Sequence, residues 1–508
     1  MKSTGLKPGA LTRRLFLGTG LAALAAPVWA EVPARSLRPV LRPANLGQPR
    51  VDAAADLVQR AKLGIPVVFA VADATSGKML ETGDGALAVP PASVAKTLTT
   101  LYALDTLGPG FRFDTRLLAT GPISNGRIAG DLVLAGGGDP TLDTNALAEM
   151  AAALKQAGVR EVAGRFLVWG GGLPHIATID RDQPDHVGYS PALSGLNLNF
   201  NRVHFEWRRV SGKWAVSMDA RSAPYRPDVT VARMQVVDRQ VPVYTYADSD
   251  GRDNWTVAEA ALGKGGARWL PVRKPEIYAG EVFQTLAGSH GIRLKAPVLS
   301  HSAPQGEILV SHQSRPLTEI LTAMLKYSTN LTAEIIGLRA SLQRGGTITS
   351  LAGSAAMMNA WLAAEYGISD IRLVDHSGLG GASRVSAAAM VGALTAPGVQ
   401  QRLRPLLKPV VLRDRNRKPD KHHPIKVAAK TGTLNFVSGL AGFMTGADGT
   451  DLAFAIFAAD TGRREALGED ERERPPGARS WNGRAKTLQQ ALIERWGALF
   501  ANGPVSGQ

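Results

Sequence analysis

Residues 90–104 read "PPASVAKTLTTLYAL": two prolines and a small residue, then apolar positions recurring at helical spacing. Ser93 and Lys96 stand three apart, so on a helix they share one face. Two readings fit this stretch, a cap beside a solvated lysine or a nucleophile beside its base. Both residue types are common, and about one such pair is expected by chance in a chain this long. The choice rests on the rest of the sequence.

The chain has 508 residues, too many for one core, which predicts two or three domains. With 44% hydrophobic and 20% charged residues its composition is that of a globular protein. The N-terminus carries a basic head (Lys2, Lys7, Arg13, Arg14) before an apolar stretch ending at Ala30. The string Thr12-Arg13-Arg14-Leu15-Phe16-Leu17 resembles a twin-arginine export signal, and cleavage after Ala30 would release a periplasmic protein. An uncleaved anchor is the alternative, disfavoured because the apolar run is short and rich in Gly and Ala. Removing residues 1–30 takes away four basic and no acidic residues, so the net charge falls from +15 to +11. A basic surface suits an anionic polymer or a membrane face; export argues against nucleic acid. The absence of Cys excludes disulfides, thiol catalysis and Cys-ligated zinc, and no cofactor or metal is expected.

Residues 31–50 are rich in Pro and Arg and read as a linker. From 113 to 275 short alternating strands, separated by Gly-rich or charged turns, predict an inserted β-rich region of two subdomains. Residues 51–112 and 276–508 then form one mixed α/β domain around the insert. Its last strands, "VSGLAGFMTG" and "TDLAFAIFAAD", are joined by a Gly-Ala-Asp-Gly hairpin turn. The helix after them places Leu488, Leu492, Trp496 and Leu499 on one stripe, expected to pack on the final sheet, with peripheral membrane contact as the alternative.

Two further motifs give the first one meaning. Lys430-Thr431-Gly432-Thr433 contains the sole Lys-Thr-Gly of the chain and falls on a predicted strand. Ser328-Thr329-Asn330 is a Ser-x-Asn in a helical region; Ser480-Trp481-Asn482 has the same form but lies outside the interval between the other motifs. The order Ser-x-x-Lys, Ser-x-Asn, Lys-Thr-Gly resembles that of penicillin-binding proteins and serine β-lactamases. "AVPPASVAKTLTTLYALDTLG", "GDLVLAGGGDPTL", "YSPALSGLNLNFNRV", "KYSTNLTAE", "DHSGLGGASRVS" and "VAAKTGTLNFVSGLAGF" resemble the DacB-type D-alanyl-D-alanine carboxypeptidase/endopeptidases, of the penicillin-binding protein 4 kind, from about residue 65 to 460. The resemblance implies an α/β transpeptidase-like domain, an antiparallel sheet flanked by helices, split by a two-part β-rich insertion. The 231 residues between Lys96 and Ser328 suit that pattern. Thr329 stands where the family often has Asp, and His376 where it more usually has Gly.

A serine hydroxyl needs a base, and Lys96 can supply one if it is neutral. A free lysine titrates near ~10.4, so neutrality at pH 7 costs roughly 4 kcal/mol. Burial is one source. A second ammonium ~4 Å away, at an effective dielectric of ~20, supplies about 4 kcal/mol more, and Lys430 is the expected neighbour. The resemblance implies the remaining roles. Ser328 relays a proton to the leaving amine, and Asn330 holds the substrate amide and steadies Lys96. Lys430, Thr431 and Thr433 receive the terminal carboxylate, and the N–H groups of Ser93 and Thr433 form the oxyanion hole. Gly432 is expected to let substrate lie against the strand. The implied partners are peptidoglycan stem peptides and covalent β-lactams. A serine β-lactamase or a non-catalytic wall-binding protein is the alternative. "GGGDP" (136–140) lacks the Lys-Ser/Thr of a phosphate loop and reads as a turn ordered by Asp139. His422-His423 reads as part of a solvated loop, and His376 as an ordinary loop histidine.

Overall fold

The computed structural model describes residues 51–468 and 471–501, so the expected export signal (1–30) and linker (31–50) lie outside the described residues. A six-stranded antiparallel sheet runs in the order Lys408–Pro409, Lys426–Leu434, Val437–Thr445, Asp451–Ala459, Val67–Asp73, Met79–Gly83. Its central strands are almost continuously apolar because both faces are covered. Phe454 and Ile456 point to the C-terminal helix Ala478–Phe500, whereas Ala453, Ala455 and Phe457 join the helical layer opposite. That layer contains the helices Lys96–Leu107, Leu317–Tyr327, Asn330–Gln343, Leu351–Tyr366 and Ala387–Thr395.

The expected hairpin forms, with Gly446 N–H donating to Thr450 O at 2.9 Å. The C-terminal stripe packs on the sheet: Leu488, Leu492 and Trp496 are buried, and Trp496 Nε1 donates to Glu81 Oε2 at 2.8 Å. Leu499, at the end of that stripe, is exposed. Among the described residues no helix is long and apolar enough to cross a membrane.

The insert leaves and re-enters at one point, where Ser314 N–H donates to Phe113 O and Phe113 N–H to Ser314 Oγ, both at 2.9 Å. Its five-stranded sheet has the order Pro297–Leu299, Phe166–Trp169, Leu132–Gly136, Asp114–Ala119, Glu307–Gln313. Three three-stranded sheets lie within it, one centred on Arg202–Val210, one on Arg252–Ala258 and a small one on Arg127–Ile128. The expected boundary at 275 falls early. Helix Pro275–Ser289 packs on helix Thr144–Gln156, and strands 297–299 and 307–313 pair inside the insert sheet. The insert's β-rich parts share one hydrophobic cluster, from Leu117 through Phe205 and Trp255 to Ile292.

Candidate active site

Ser93 sits in a single 3-10 turn, Ala92–Ala95, that runs directly into the α-helix beginning at Lys96. The turn is clamped from two sides. A Cβ on Gly432 would lie 2.7 Å from Pro91 O and 3.2 Å from Ser93 N, and one on Gly378 would lie 1.9 Å from Ala92 O. Gly432 is therefore needed where the strand passes against the nucleophile turn, a constraint additional to the room for substrate expected from the sequence.

Lys96 is fully buried, and its Nζ contacts Ser93 Oγ (3.0 Å), Asn330 Oδ1 (2.8 Å) and Ser377 O (2.7 Å). The last two are acceptors only. A neutral amine has two hydrogens and one lone pair, so with those hydrogens given to Asn330 and Ser377 the lone pair faces the Ser93 hydroxyl. Burial pushes the Lys96 pKa down, against the buried carboxylates of Glu334 and Asp375, which push it back up. Lys430 is also fully buried, and its Nζ donates to Ser328 Oγ (2.9 Å) and Thr431 O (2.7 Å). Burial first, then the charges of Lys96 and Lys408, push Lys430 down to about 6. The expected repulsion between the lysines thus falls on Lys430.

Ser328, expected within a helix, occupies the break between Leu317–Tyr327 and Asn330–Gln343 in the left-handed conformation (φ 60°, ψ 38°). Asn330 opens the second helix, and its Nδ2 donates to Tyr189 O of the insert at 3.0 Å. Strand Lys408–Pro409 covers the Lys-Thr-Gly strand only opposite Ala428–Ala429, leaving the edge beyond open. Val410 N–H donates to Val427 O on that side, so the backbone groups of Thr431 and Thr433 also point to the open edge. Both threonine hydroxyls are free of hydrogen bonds among the described residues, and their Cβ atoms lie on the face opposite Lys430 and Gly432. A ligand that meets all four residues must lie along the edge.

Sequence reasoning missed two buried carboxylates. Glu334 accepts His376 N–H (2.9 Å) and Ser377 N–H (2.8 Å), and Asp375 accepts Gly378 N–H (2.7 Å) and Gly380 N–H (2.6 Å). Together they fold the loop that presents the Ser377 carbonyl to Lys96. A signal was present: Glu334 follows Asn330 by four residues, on the same helix face. His376 is a core residue rather than an ordinary loop histidine. It is fully buried, bonded through Nε2 to Ser354 Oγ at 2.7 Å, stacked on Tyr102 and pushed down to about 3 by burial. Asp139 orders its turn as expected, accepting Thr141 N–H and Oγ1–H at 2.7 Å. His422 is exposed in its loop and His423 is half-buried, and no metal-binding cluster occurs among the described residues.

A buried lysine aimed at a serine, flanked by Ser-x-Asn and an open-edged Lys-Thr-Gly strand, defines a serine acyl-transfer enzyme of the penicillin-binding fold. The chain belongs to the D-Ala-D-Ala carboxypeptidase 3 (S13) family, whose model matches residues 51–474. It is 29% identical to the D-alanyl-D-alanine carboxypeptidase of Actinomadura sp. (strain R39) over 81% of each chain. It is 26% identical to the D-alanyl-D-alanine carboxypeptidase DacB of Haemophilus influenzae, over 79% of this chain and 87% of that one. The crystal structure of penicillin binding protein 4 from Haemophilus influenzae superposes with a TM-score of 0.71 at 21% identity, covering 87% of this chain and all of that one.

Proposed function

We propose that this protein removes the terminal D-Ala of peptidoglycan stem peptides through an acyl-enzyme on Ser93. The observation that carries the reading is the Lys96 amine, buried and oriented by Asn330 and Ser377 so that its lone pair meets the Ser93 hydroxyl at 3.0 Å. The substrate lies along the open strand edge, its terminal carboxylate on Lys430 and the hydroxyls of Thr431 and Thr433. Ser93 Oγ attacks the carbonyl of the penultimate D-Ala while its proton passes to Lys96. The oxyanion sits between the N–H groups of Ser93 and Thr433, each donor worth about 3 kcal/mol. Ser328, bonded to Lys430, passes its own proton to the leaving D-Ala nitrogen and takes up the one held by Lys96, which is thereby neutral again. Water then attacks the ester, giving up its proton to Lys96, and releases the shortened peptide and Ser93. The same machinery cuts D-alanyl–diaminopimelate cross-links where a second stem peptide is admitted, and a β-lactam acylates Ser93 in place of substrate. Export to the periplasm places the enzyme beside that polymer.

Labelling with a fluorescent penicillin tests the reading. Stable label on the wild type, none on Ser93→Ala, and loss of one D-Ala from purified muropeptides are expected. Label on the alanine variant removes Ser93 from its role. Rapid penicillin turnover without D-Ala release points to a β-lactamase instead.

A further inference from the structure

Arg202 begins the strand Arg202–Val210, directly after the turn Asn199–Asn201, in which three successive non-glycine residues have positive φ (51°, 57° and 51°). That turn places the Phe200 ring 5.2 Å from the Arg202 guanidinium, and the Trp269 ring lies 5.8 Å away. Gly188 crosses over the assembly. A Cβ there would lie 2.9 Å from Trp269 O and 3.3 Å from Arg202 Cδ.

Among the described residues the guanidinium makes no hydrogen bond and no ion pair, and its Nε is buried without a partner. Its neighbours differ. Arg221 is bonded to Glu206 (2.6 Å) and Asp219 (2.8 Å), and Arg268 to Glu473 (2.8 Å). A largely desolvated cation without a counter-charge is costly, and two aromatic faces offset only part of that cost. Arginine is also the residue whose planar fork matches a carboxylate through two parallel N–H bonds.

The position is informative. A cavity of about 140 Å³ is lined by Arg202, Phe200 and Tyr189 together with Ser328 and Asn330 of the active site. A second, of about 370 Å³, shares Arg202, Phe200 and Tyr327 with it and extends along the insert to Trp269. We infer that Arg202 is a subsite for a carboxylate carried by a part of the stem peptide remote from the scissile bond, entering along the Ser328–Asn330 side. Long or cross-linked anionic peptides reach it, and short D-Ala-D-Ala peptides do not. The identity of the occupant as a stem peptide rests on the function proposed above.

Binding to a non-turnover protein tests this without relying on catalysis. Titration calorimetry on Ser93→Ala would compare a cross-linked dimeric stem peptide with the same dimer amidated at every carboxylate except the terminal D-Ala. Replacing Arg202 by Gln in that background is expected to weaken the free-acid dimer by about 10- to 50-fold, as for loss of a charged hydrogen-bonding pair. Amidation should weaken binding to Ser93→Ala similarly and add nothing once Arg202 is gone, and Arg202→Lys should fall between. A short acetylated D-Ala-D-Ala peptide should change less than twofold. Equal binding of free-acid and amidated dimers, an unchanged affinity in Arg202→Gln, or no dimer binding to Ser93→Ala would each overturn the assignment. Penicillin labelling of Arg202→Gln at the wild-type rate verifies its fold. Absence of label on the wild type counts against the acyl-enzyme reading alone, because the titration still reports on Arg202.

Discussion

At Lys96 three contacts decide whether the side chain is a cation or a base, and one of them, the Ser377 carbonyl, depends on a residue that never touches Ser93. Glu334 holds the N–H groups of His376 and Ser377 and is itself fully buried, so burial pushes its own pKa up while its charge opposes the fall of Lys96. Around Lys96 the charged groups are Glu334, Asp375 and, across the site, Lys430. Acylation requires neutral Lys96, so its rate rises with pH through the Lys96 titration. Glu334→Gln removes a charge that favours the ammonium, and the rising limb of penicillin acylation should move about one pH unit to the acid side. The plateau should drop by roughly 100-fold as the Ser377 carbonyl loosens. A lowered plateau with an unmoved limb would leave Glu334 a purely structural role. Gly432 gives a second test. Gly432→Ala drives a methyl into Pro91 O, and displacing the nucleophile turn should lower acylation by about 100-fold, whereas a variant acylated at the parent rate would show that the turn tolerates a side chain there.

Among the elements, the break between helices Leu317–Tyr327 and Asn330–Gln343 was the hardest to read in advance. The run "LKYSTNLTAEIIGL" keeps its helical apolar spacing across the break, so periodicity conceals it. Ser328 terminates the first helix as a left-handed cap, where an L-residue is disfavoured by about 1 kcal/mol relative to glycine. The strain turns its hydroxyl to Lys430 instead of along a helix face. Ser328→Gly and Ser328→Ala should therefore lose activity alike but differ in stability, the glycine variant being more stable by about 1 kcal/mol in urea denaturation. Equal stability would mean that the left-handed conformation costs nothing here. The Lys-Thr-Gly strand was legible because its apolar run and turn signal are local. Gly432's true neighbour was not, because its clash partner Pro91 lies 341 residues away in the chain. Buried Glu334 and Asp375 are illegible in the sequence for a related reason. A carboxylate that accepts backbone N–H groups carries no motif, and only the tertiary fold reveals what it holds.

In the whole molecule the insert is joined to the peptidase domain by more than its two chain crossings. Alternating strands and turns revealed its existence, but helix Pro275–Ser289 has the texture of the helices after it, so the end of the insert was placed early. One link is ionic: Glu473 accepts from His186 (2.8 Å) and Arg268 (2.8 Å), and these bonds hold its pKa down from 4.5 to about 2. A depressed carboxylate contributes stability above its unfolded value and loses it as pH falls. The melting-temperature gap between wild type and Glu473→Gln should thus be full above about pH 4.5 and close as pH approaches about 2; a pH-independent gap would remove the ionic contribution. The other link is apolar. Leu173, Ile179 and Leu193 of the insert belong to the same hydrophobic cluster as Leu98 and Leu101 of the nucleophile helix, and Tyr189 O holds Asn330. Because Phe113 and Ser314 are bonded to each other, residues 114–313 can be excised and the ends joined by a short Gly-Ser bridge without stretching the chain. A passenger domain would leave a sound enzyme behind. Here excision removes Leu173, Ile179 and Leu193 from the cluster they share with the nucleophile helix and frees Asn330 from Tyr189, so the shortened chain should melt at least on the order of 10 °C lower or fail to fold. It should also lose penicillin labelling. A shortened chain that melts cooperatively near the parent temperature and is labelled at the parent rate would show that the insert serves substrate capture alone, and that the core it shares with the nucleophile helix is dispensable.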